Sequence, residues 1–188
     1  MRDGAYVPVV RLHIGCGTKV LPGWINIDRA ARAPGVVTGI DPASLPWSNG
    51  SVHEILAEHV FEHFSFEEEA KVWPEMARVL CHQGRLTVEV PDFEWVCARF
   101  LAAKDSWRSF YKVGHPDDYA GCGRALDERW GILQTMFFGN QNGCGQYHHS
   151  AYTEAKLRAI GAHLGFRTID LTKLFNKGGQ ALRAVFVR

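Results

Sequence analysis

Residues 11–28 read Arg-Leu-His-Ile-Gly-Cys-Gly-Thr-Lys-Val-Leu-Pro-Gly-Trp-Ile-Asn-Ile-Asp, and the interpretation of the whole chain starts from this stretch. An apolar run that ends at Ile14 has the pattern of a buried strand, and it breaks abruptly at Gly15 and Gly17. Glycines at these positions let the backbone turn sharply and let a ligand approach the main chain closely. A second short strand at 24–27 follows, and it ends at Asp28. The pattern predicts a strand, a glycine turn and a second strand of an α/β protein.

Asp28 lies where the second strand of a doubly wound sheet places an acid that accepts the hydroxyl groups of a ribose. Together with the glycine turn, this acid indicates a cofactor that contains a nucleoside. Lys19 and Val20 follow where the dinucleotide-binding fingerprint requires a third glycine, so the pattern argues against a pyrophosphate site for NAD. Taken alone, the same residues also fit an ordinary strand–turn–strand unit with an incidental acid.

Length and composition favour one globular domain that spans residues 1–188, with 46% hydrophobic and 22% charged residues. The net charge of +1 gives no electrostatic reason to expect a nucleic acid or a membrane as a partner. The five cysteines are an odd number, and the N-terminus lacks a secretory pattern. We therefore expect reduced thiols, a cytoplasmic protein, and a monomer or homodimer.

The rest of the chain alternates segments with strand and helix patterns. We predict further strands at 36–40, 52–58, 85–90, 165–171 and 181–187, and helices that follow Ser65 and cover about 93–103 and 154–164. The first two connections between strands are shorter than a usual parallel crossover, so we expect single-turn helices or none there. Segment 104–150 has no such pattern, and we predict that it forms a partly helical lid or an insertion that binds the acceptor substrate.

Several motifs resemble class I S-adenosylmethionine-dependent methyltransferases over nearly the whole chain. Residues 41–47, Asp-Pro-Ala-Ser-Leu-Pro-Trp, are similar to an Asp-Ala-x-x-Leu-Pro-Phe segment of these enzymes, and 78–84 resemble the turn before their fifth strand. Residues 21–28 and the His-Val-Phe-Glu-His run at 59–63 resemble a small, type 11-like branch associated with sugar or secondary-metabolite pathways. The resemblance implies a doubly wound, seven-stranded α/β sheet, mostly parallel, with an antiparallel last strand.

The resemblance also implies the cofactor and its contacts. S-adenosylmethionine is expected to contact the loop residues Gly15, Cys16 and Gly17, Asp28 at the ribose, Asp41 at the adenine amino group, Leu45 at the adenine ring, and Glu58 and His59 near the methyl group. The family usually has an acid two residues before the first glycine of the loop. This chain has His13 there, which weakens one expected contact to the ammonium group of the cofactor.

Methyl transfer needs an in-line approach, a desolvated pocket and, for a hydroxyl acceptor, a base. Histidine is the side chain best suited to act as a base near neutral pH. We take His59 as the first catalytic candidate and His149 as the second, with the adjacent His148 as a further candidate. A hydrogen-bonded structural histidine is the alternative for each of them.

The run His59-x-x-Glu62-His63 has the letters of an inverted zinc-protease motif. That motif lies on one helix, whereas this run lies between a predicted strand and the helix that follows Ser65, which argues against a protease. We expect no metal ion. The alternative left open is a divalent cation held by His59, Glu62 and His63, as in a similar cluster of some O-methyltransferases.

The predicted function is S-adenosylmethionine-dependent methyl transfer to an oxygen or nitrogen of a small molecule. The chain has no basic stripe with interleaved aromatic residues, so a nucleic-acid substrate is disfavoured. The alternatives are another reaction on the same cofactor and a non-catalytic S-adenosylmethionine-binding regulatory or partner protein. The sequence does not identify the acceptor.

Overall fold

The computed structural model describes residues 9–105, 129, 132–141, 145–176 and 179–188. The strands are β1 (Arg11–Ile14), β2 (Ile25–Ile27), β3 (Val36–Val37), β4 (Val52–Glu58), β5 (Leu80–Pro91), β6 (Thr168–Asn176) and β7 (Gly179–Val187). The helices are α1 (Phe66–Val79), α2 (Phe93–Ala102), α3 (Ile132–Phe138) and α4 (Glu154–His163), and a short 3-10 helix covers Phe61–His63.

The strands form one seven-stranded sheet in the order β3-β2-β1-β4-β5-β7-β6. Strands β1 to β5 are parallel, and β7 runs antiparallel to both β5 and β6. The chain moves outward from β1 to β3 and then starts again at β4, so the order reverses between β1 and β4. The prediction of a mostly parallel, seven-stranded sheet with an antiparallel last strand is confirmed.

In the described part of the chain, no helix follows β1, β2 or β3, as the short connections predicted. The loop before β2 is held by the side chain of Asn26 instead. Its Oδ1 accepts the Leu21 N–H at 2.9 Å, and its Nδ2 donates to the carbonyls of Leu21 at 3.1 Å and Trp24 at 3.0 Å. Asn26 is 3% exposed, so these bonds satisfy polar groups that would otherwise be buried without partners.

The hydrophobic core lies on one face of the sheet, because alternate strand residues point to the same side. The buried strand residues of this face include Leu12, Ile14, Ile55, Ala57, Leu86, Val88, Leu182, Ala184 and Phe186. The apolar stripe of α1 packs on them through Val72, Trp73, Met76 and Ala77, and α4 adds Leu157. This core fixes the strands, and therefore the positions of the loops at their carboxyl ends.

The opposite face of the sheet carries mostly polar and charged side chains. Arg11 and Glu54 are neighbours on β1 and β4 and form an ion pair of 3.3 Å. Arg183 of β7 bridges Glu58 at 3.2 Å and Glu89 at 2.7 Å. Charge pairs across the strands are therefore a main feature of this face among the described residues.

Several boundaries differ from the predictions for physical reasons. β3 has two residues instead of five, because Gly39 takes a φ of +81° and turns the chain away from β2. β6 starts at Thr168 rather than at 165, because Gly165, with a φ of +72°, lies in the turn after α4. Over the described ranges, no helix is long and apolar enough to cross a membrane.

Candidate active site

The loops that follow the parallel strands meet at one edge of the sheet, where ligands of doubly wound proteins bind. β1 ends at Ile14 and runs into the loop Gly15–Gly17, which we call the glycine loop. β2 leads to Asp28, and β4 ends at Glu58 and leads to His59. The structure therefore places these predicted site residues at a common edge.

The glycine loop is held by the carboxylate of Asp28. Gly17 donates its N–H to Oδ2 of Asp28 at 2.8 Å, while Ala30 and Ala31 donate to Oδ1 at 2.8 and 2.7 Å. Partial burial acts to raise the pKa of Asp28, but these backbone N–H groups outweigh it and hold the pKa below the ordinary value. Asp28 is thus an ionised acceptor that is partly open to solvent and positioned by the loop that it stabilises.

The two glycines of this loop have different surroundings. Both have a left-handed backbone, with a φ of +66° at Gly15 and +55° at Gly17. A Cβ atom at Gly15 would lie 2.2 Å from Cγ2 of Val60, whereas one at Gly17 would meet nothing within 4 Å. Gly15 is therefore needed for close packing inside the protein, and Gly17 borders open space.

Asp41 and Leu45 lie on the connection between β3 and β4. Asp41 is exposed and its Oδ1 accepts the Ala43 N–H at 2.9 Å. Leu45 is 5% exposed and belongs to the core, and its backbone is fixed by Glu75 and Arg78 of α1 at 2.6 and 3.1 Å. The adenine contacts expected of Asp41 and Leu45 stay predictions.

Glu58 lies at the end of β4 between two cations. Its carboxylate contacts Nζ of Lys19 at 2.5 Å and the guanidinium of Arg183 at 3.2 Å. Lys19 belongs to the connection that follows the glycine loop, so this ion pair ties the loop to β4. Glu58 is a positioning residue in this arrangement, and its expected proximity to the methyl group remains a prediction.

His59 has both ring nitrogens beside buried carboxylates. Nδ1 lies 3.2 Å from Oε1 of Glu62 and Nε2 lies 3.3 Å from Oε1 of Glu89. A ring that carries a proton on each nitrogen can donate to both carboxylates. The backbone of His59 has a φ of +56°, an uncommon conformation for a residue with a side chain. The surroundings therefore hold His59 in one orientation.

Glu89 is the residue whose ionisation these contacts change most clearly. The hydrogen bond with His59 lowers the pKa of Glu89, burial opposes this change, and Asn176 and Arg183 lower the pKa further, to about 2. The carboxylate of Glu89 is therefore charged at neutral pH although it is 2% exposed. Sequence reasoning did not identify Glu89, because it lies within β5 and its partners come from other elements.

A cavity of about 310 Å³ lies beside Glu62, next to the residues that follow β4 and β5. Apolar side chains from α1, α2 and α3 line much of it, and histidines provide its polar groups. The lining residues include Phe66, Phe93, Met136, Phe138, His148 and His149. Of segment 104–150, residues 136–138 and 148–150 line the cavity, while 106–128, 130–131 and 142–144 lie outside the described part. That this segment forms a lid or an acceptor site stays a prediction.

A network around Glu69 positions the segment that carries His148 and His149. The carboxylate of Glu69 accepts hydrogen bonds from Ser150 at 2.7 Å, from Lys156 at 2.9 Å and from the hydroxyl of Tyr152. Tyr152 is 1% exposed, and burial is the main cause that raises its pKa. These bonds connect α1, α4 and the histidine segment.

Three side chains converge at one end of the cavity. Ligand atoms of Glu62, His63 and His148 all lie within 4.8 Å of one another. The sequence indicated His59 as the possible third member of this group, but in the structure its Nδ1 faces Glu62 and its Nε2 faces Glu89. No sequence signal connects His148 with His63, because segment 104–150 has no pattern that predicts its path.

Asp92 lies between β5 and α2. Its Oδ1 accepts the Trp95 N–H at 3.2 Å at the start of α2, and its Oδ2 accepts from Nε2 of Gln180 at 2.7 Å. Asp92 is 1% exposed. The structure therefore assigns it to capping.

Comparison with known proteins places this arrangement in context. No protein-family model and no curated protein sequence matches the chain. Solved structures do match, and several of them are methyltransferases by name. The chain has the class I methyltransferase fold.

Three of the matching structures illustrate this fold. A 1,6-didemethyltoxoflavin-N1-methyltransferase from Burkholderia thailandensis is 12% identical with a TM-score of 0.57, and the match covers 96% of this chain and 71% of that protein. Magnesium protoporphyrin IX methyltransferase from Synechocystis is 13% identical with a TM-score of 0.57, and the match covers 96% of this chain and 74% of that protein. An S-adenosylmethionine-dependent methyltransferase from Thermotoga maritima is 14% identical with a TM-score of 0.59, and the match covers 95% of this chain and 81% of that protein. The first two structures contain bound S-adenosylhomocysteine.

Proposed function

We propose that this protein transfers a methyl group from S-adenosylmethionine to an oxygen or nitrogen atom of a small molecule. The observation that carries the proposal is the position of the glycine loop and Asp28 at the same sheet edge as a histidine-lined cavity, on a methyltransferase fold. The loop offers a nucleoside site, and the cavity offers room for an acceptor.

The residues of the glycine loop fit the cofactor. Gly17 borders open space that a Cβ atom would enter, and its N–H already points at the carboxylate of Asp28. Three backbone N–H groups use three of the roughly four lone-pair positions of that carboxylate, so Oδ2 keeps one position for a further donor. We infer that Gly15–Gly17 pass beside the amino-acid part of the cofactor and that Oδ2 of Asp28 accepts a ribose hydroxyl.

When bound, S-adenosylmethionine supplies an electrophilic methyl group on a sulfonium. The protein then has to exclude water, orient the acceptor and remove one proton. We assign proton removal from an acceptor hydroxyl to His149, because its exposed ring lines the cavity. His59 is the positioning partner of Glu62 and Glu89 in this scheme, since both its nitrogens face carboxylates.

The acceptor is inferred from the cavity. A volume of about 310 Å³ suits a compact molecule, and its apolar wall of phenylalanine and methionine favours a partly hydrophobic one. The histidine end provides the polar contacts that orient an acceptor oxygen or nitrogen. Two structures of this fold are named as methyltransferases of 1,6-didemethyltoxoflavin and of magnesium protoporphyrin IX.

The first test is calorimetric titration of the full chain with S-adenosylmethionine and S-adenosylhomocysteine, after bound ligand has been removed. We expect binding by the parent protein and a loss of affinity of roughly 10- to 100-fold in Asp28→Ala, because a hydrogen bond to a charged group contributes about 1.5–3 kcal/mol. Asp28→Asn keeps one acceptor oxygen and should bind with intermediate affinity.

Asp170→Asn is the matched control, because Asp170 is an exposed acid on β6. Circular dichroism and thermal unfolding of each variant separate a lost contact from a lost fold. If the folded parent binds neither compound, the proposal is wrong. If it binds both but forms no S-adenosylhomocysteine with a panel of phenols, alcohols and amines, the protein is a non-catalytic binder instead.

A further inference from the structure

The cluster of Glu62, His63 and His148 has the chemistry of a metal site. Its three ligand atoms lie within 4.8 Å of one another, and they combine two imidazoles with one carboxylate. Atoms that bind one ion at about 2 Å lie roughly 3–4 Å apart, so the cluster needs only a small closure around an ion. We propose that Glu62, His63 and His148 bind a divalent transition-metal ion of the Zn²⁺ type.

The two histidines are oriented as metal ligands are. Nδ1 of His63 lies 2.9 Å from the carbonyl oxygen of Tyr147, and Nδ1 of His148 lies 2.9 Å from that of Met136. A carbonyl only accepts, so each Nδ1 carries a proton, and in the neutral imidazole each Nε2 then keeps its lone pair. Metal-binding histidines are commonly fixed by this kind of hydrogen bond from the second ring nitrogen.

Glu62 provides the second, independent observation. The residue is 2% exposed, and among the described residues its Oε2 is a buried oxygen with no hydrogen-bond partner. Its other oxygen, Oε1, accepts from Nδ1 of His59 at 3.2 Å, which fixes the direction of the carboxylate. A buried oxygen without a partner costs free energy, and a cation beside Oε2 removes that cost.

The donor set selects the type of ion. Two imidazoles and one carboxylate suit Zn²⁺ and related transition metals, whereas Mg²⁺ prefers an octahedral set of oxygens. Three protein ligands also leave coordination positions open, which is the arrangement of catalytic zinc sites. The cluster is therefore expected to bind Zn²⁺ or Co²⁺ and to discriminate against Mg²⁺.

The open positions face the cavity, because Glu62 and His148 both line it. An acceptor hydroxyl that occupies one of them would have a lower pKa, since a bound cation stabilises its anion. His149 would take the proton of the acceptor hydroxyl. The acceptor oxygen would then form a bond to the methyl carbon of S-adenosylmethionine, while the bond from that carbon to sulfur breaks and leaves a neutral thioether. The role of the ion in activating an acceptor hydroxyl rests on the proposed function, whereas the binding of the ion does not.

The test uses the full chain after chelator treatment, titrated with Zn²⁺ in a calorimeter and with Co²⁺ in a visible spectrophotometer. We expect one ion per chain, absorption bands of low-symmetry Co²⁺, and a higher melting temperature with Zn²⁺. His148→Ala, His63→Ala and Glu62→Gln should each weaken Zn²⁺ binding more than about 10-fold, because loss even of a residue that only supports a ligand costs 10- to 100-fold.

His163→Ala is the control, because His163 is an exposed histidine in the last turn of α4. It should bind Zn²⁺ as the parent does, and Mg²⁺ should bind to none of these proteins at the same concentration. The proposal is overturned by a folded parent that does not bind Zn²⁺, or by equal binding in the parent and the triple variant of the cluster. Titration of the same samples with S-adenosylmethionine separates this outcome from a failure of the proposed function.

Discussion

At the scale of single residues, Gly15 and Gly17 share a left-handed backbone but differ in what surrounds them. We expect Gly15→Ala to lower the free energy of unfolding by about 2–4 kcal/mol, because backbone strain adds to a clash with Val60. Gly17→Ala should cost about 1 kcal/mol from backbone strain alone. Urea denaturation measures both values.

A second background tests the origin of this difference. Val60→Ala removes the atom that a Cβ at Gly15 would meet, so Gly15→Ala should cost less in that background than in the parent. Equal costs in the two backgrounds would contradict the packing explanation. Gly17→Ala, which keeps most of its stability, should instead lose affinity for S-adenosylmethionine.

The residues of the two halves of the site were not equally predictable. The pairing of Gly17 with Asp28 follows from strand, turn and strand, so a local pattern was sufficient to find it. The meeting of His148 with Glu62 and His63 depends on how segment 104–150 returns to the sheet, and no local pattern encodes that path. His59 was correctly placed after β4, but its two carboxylate partners belong to different elements.

At the scale of elements, α1 has a well-capped N-terminus but contains a proline in its interior. Its first turn is closed by a capping box between Ser65 and Glu68, and the sequence predicted a helix that follows Ser65. Pro74 lies inside the same helix on its exposed side, where it removes a backbone donor. The core stripe of α1 outweighs this loss, which explains why the helix continues through the proline.

Replacement of this proline should stabilise the protein. We expect Pro74→Ala to raise the free energy of unfolding by about 1–2 kcal/mol, since the gain of a helical hydrogen bond exceeds the larger entropy of the unfolded chain. Lys71→Ala, at another exposed position of α1, should change it by less than about 0.5 kcal/mol. A destabilised Pro74→Ala protein would show that the proline ring contributes to the native packing.

The boundaries of the strands were harder to predict from the sequence than the presence of the strands. The existence of all seven strands was predictable from apolar runs, but β5 starts at Leu80 rather than at 85 and β6 continues to Asn176 rather than 171. The end of β3 and the start of β6 depend on turns at Gly39 and Gly165. The sequence around Gly39 and Gly165 does not distinguish them from glycines that lie inside a strand. The direction of the backbone at these points is set by the packing of neighbouring elements.

At the scale of the whole molecule, the charged face of the sheet should make stability depend on acid. The pKa of Glu89 falls from 4.5 to about 2 on folding, so the folded state favours the ionised form. The resulting stabilisation is fully present above pH 4.5 and is lost as the pH falls toward 2. Its size is about 3 kcal/mol, because one pKa unit corresponds to about 1.4 kcal/mol.

Glu89→Gln tests this contribution through urea denaturation between pH 7 and pH 3. The parent should lose stability more steeply than the variant below pH 4.5, because only the parent has to protonate this carboxylate. Glu154→Gln is the control, because Glu154 is a partly exposed acid at the start of α4. Parallel curves for the parent and Glu89→Gln would contradict the assignment.

The helix-free connections of the first strands also determine the order in which the sheet can assemble. Leu12 pairs with Ile25 and Asn26 with Val36, whereas Arg85 must find Val187 near the far end of the chain. Closing a long loop costs more entropy than closing a short one, and distant pairings slow folding. The β1–β2–β3 ribbon can therefore form early, and the docking of β7 against β5 becomes the late step that commits the molecule to its native state.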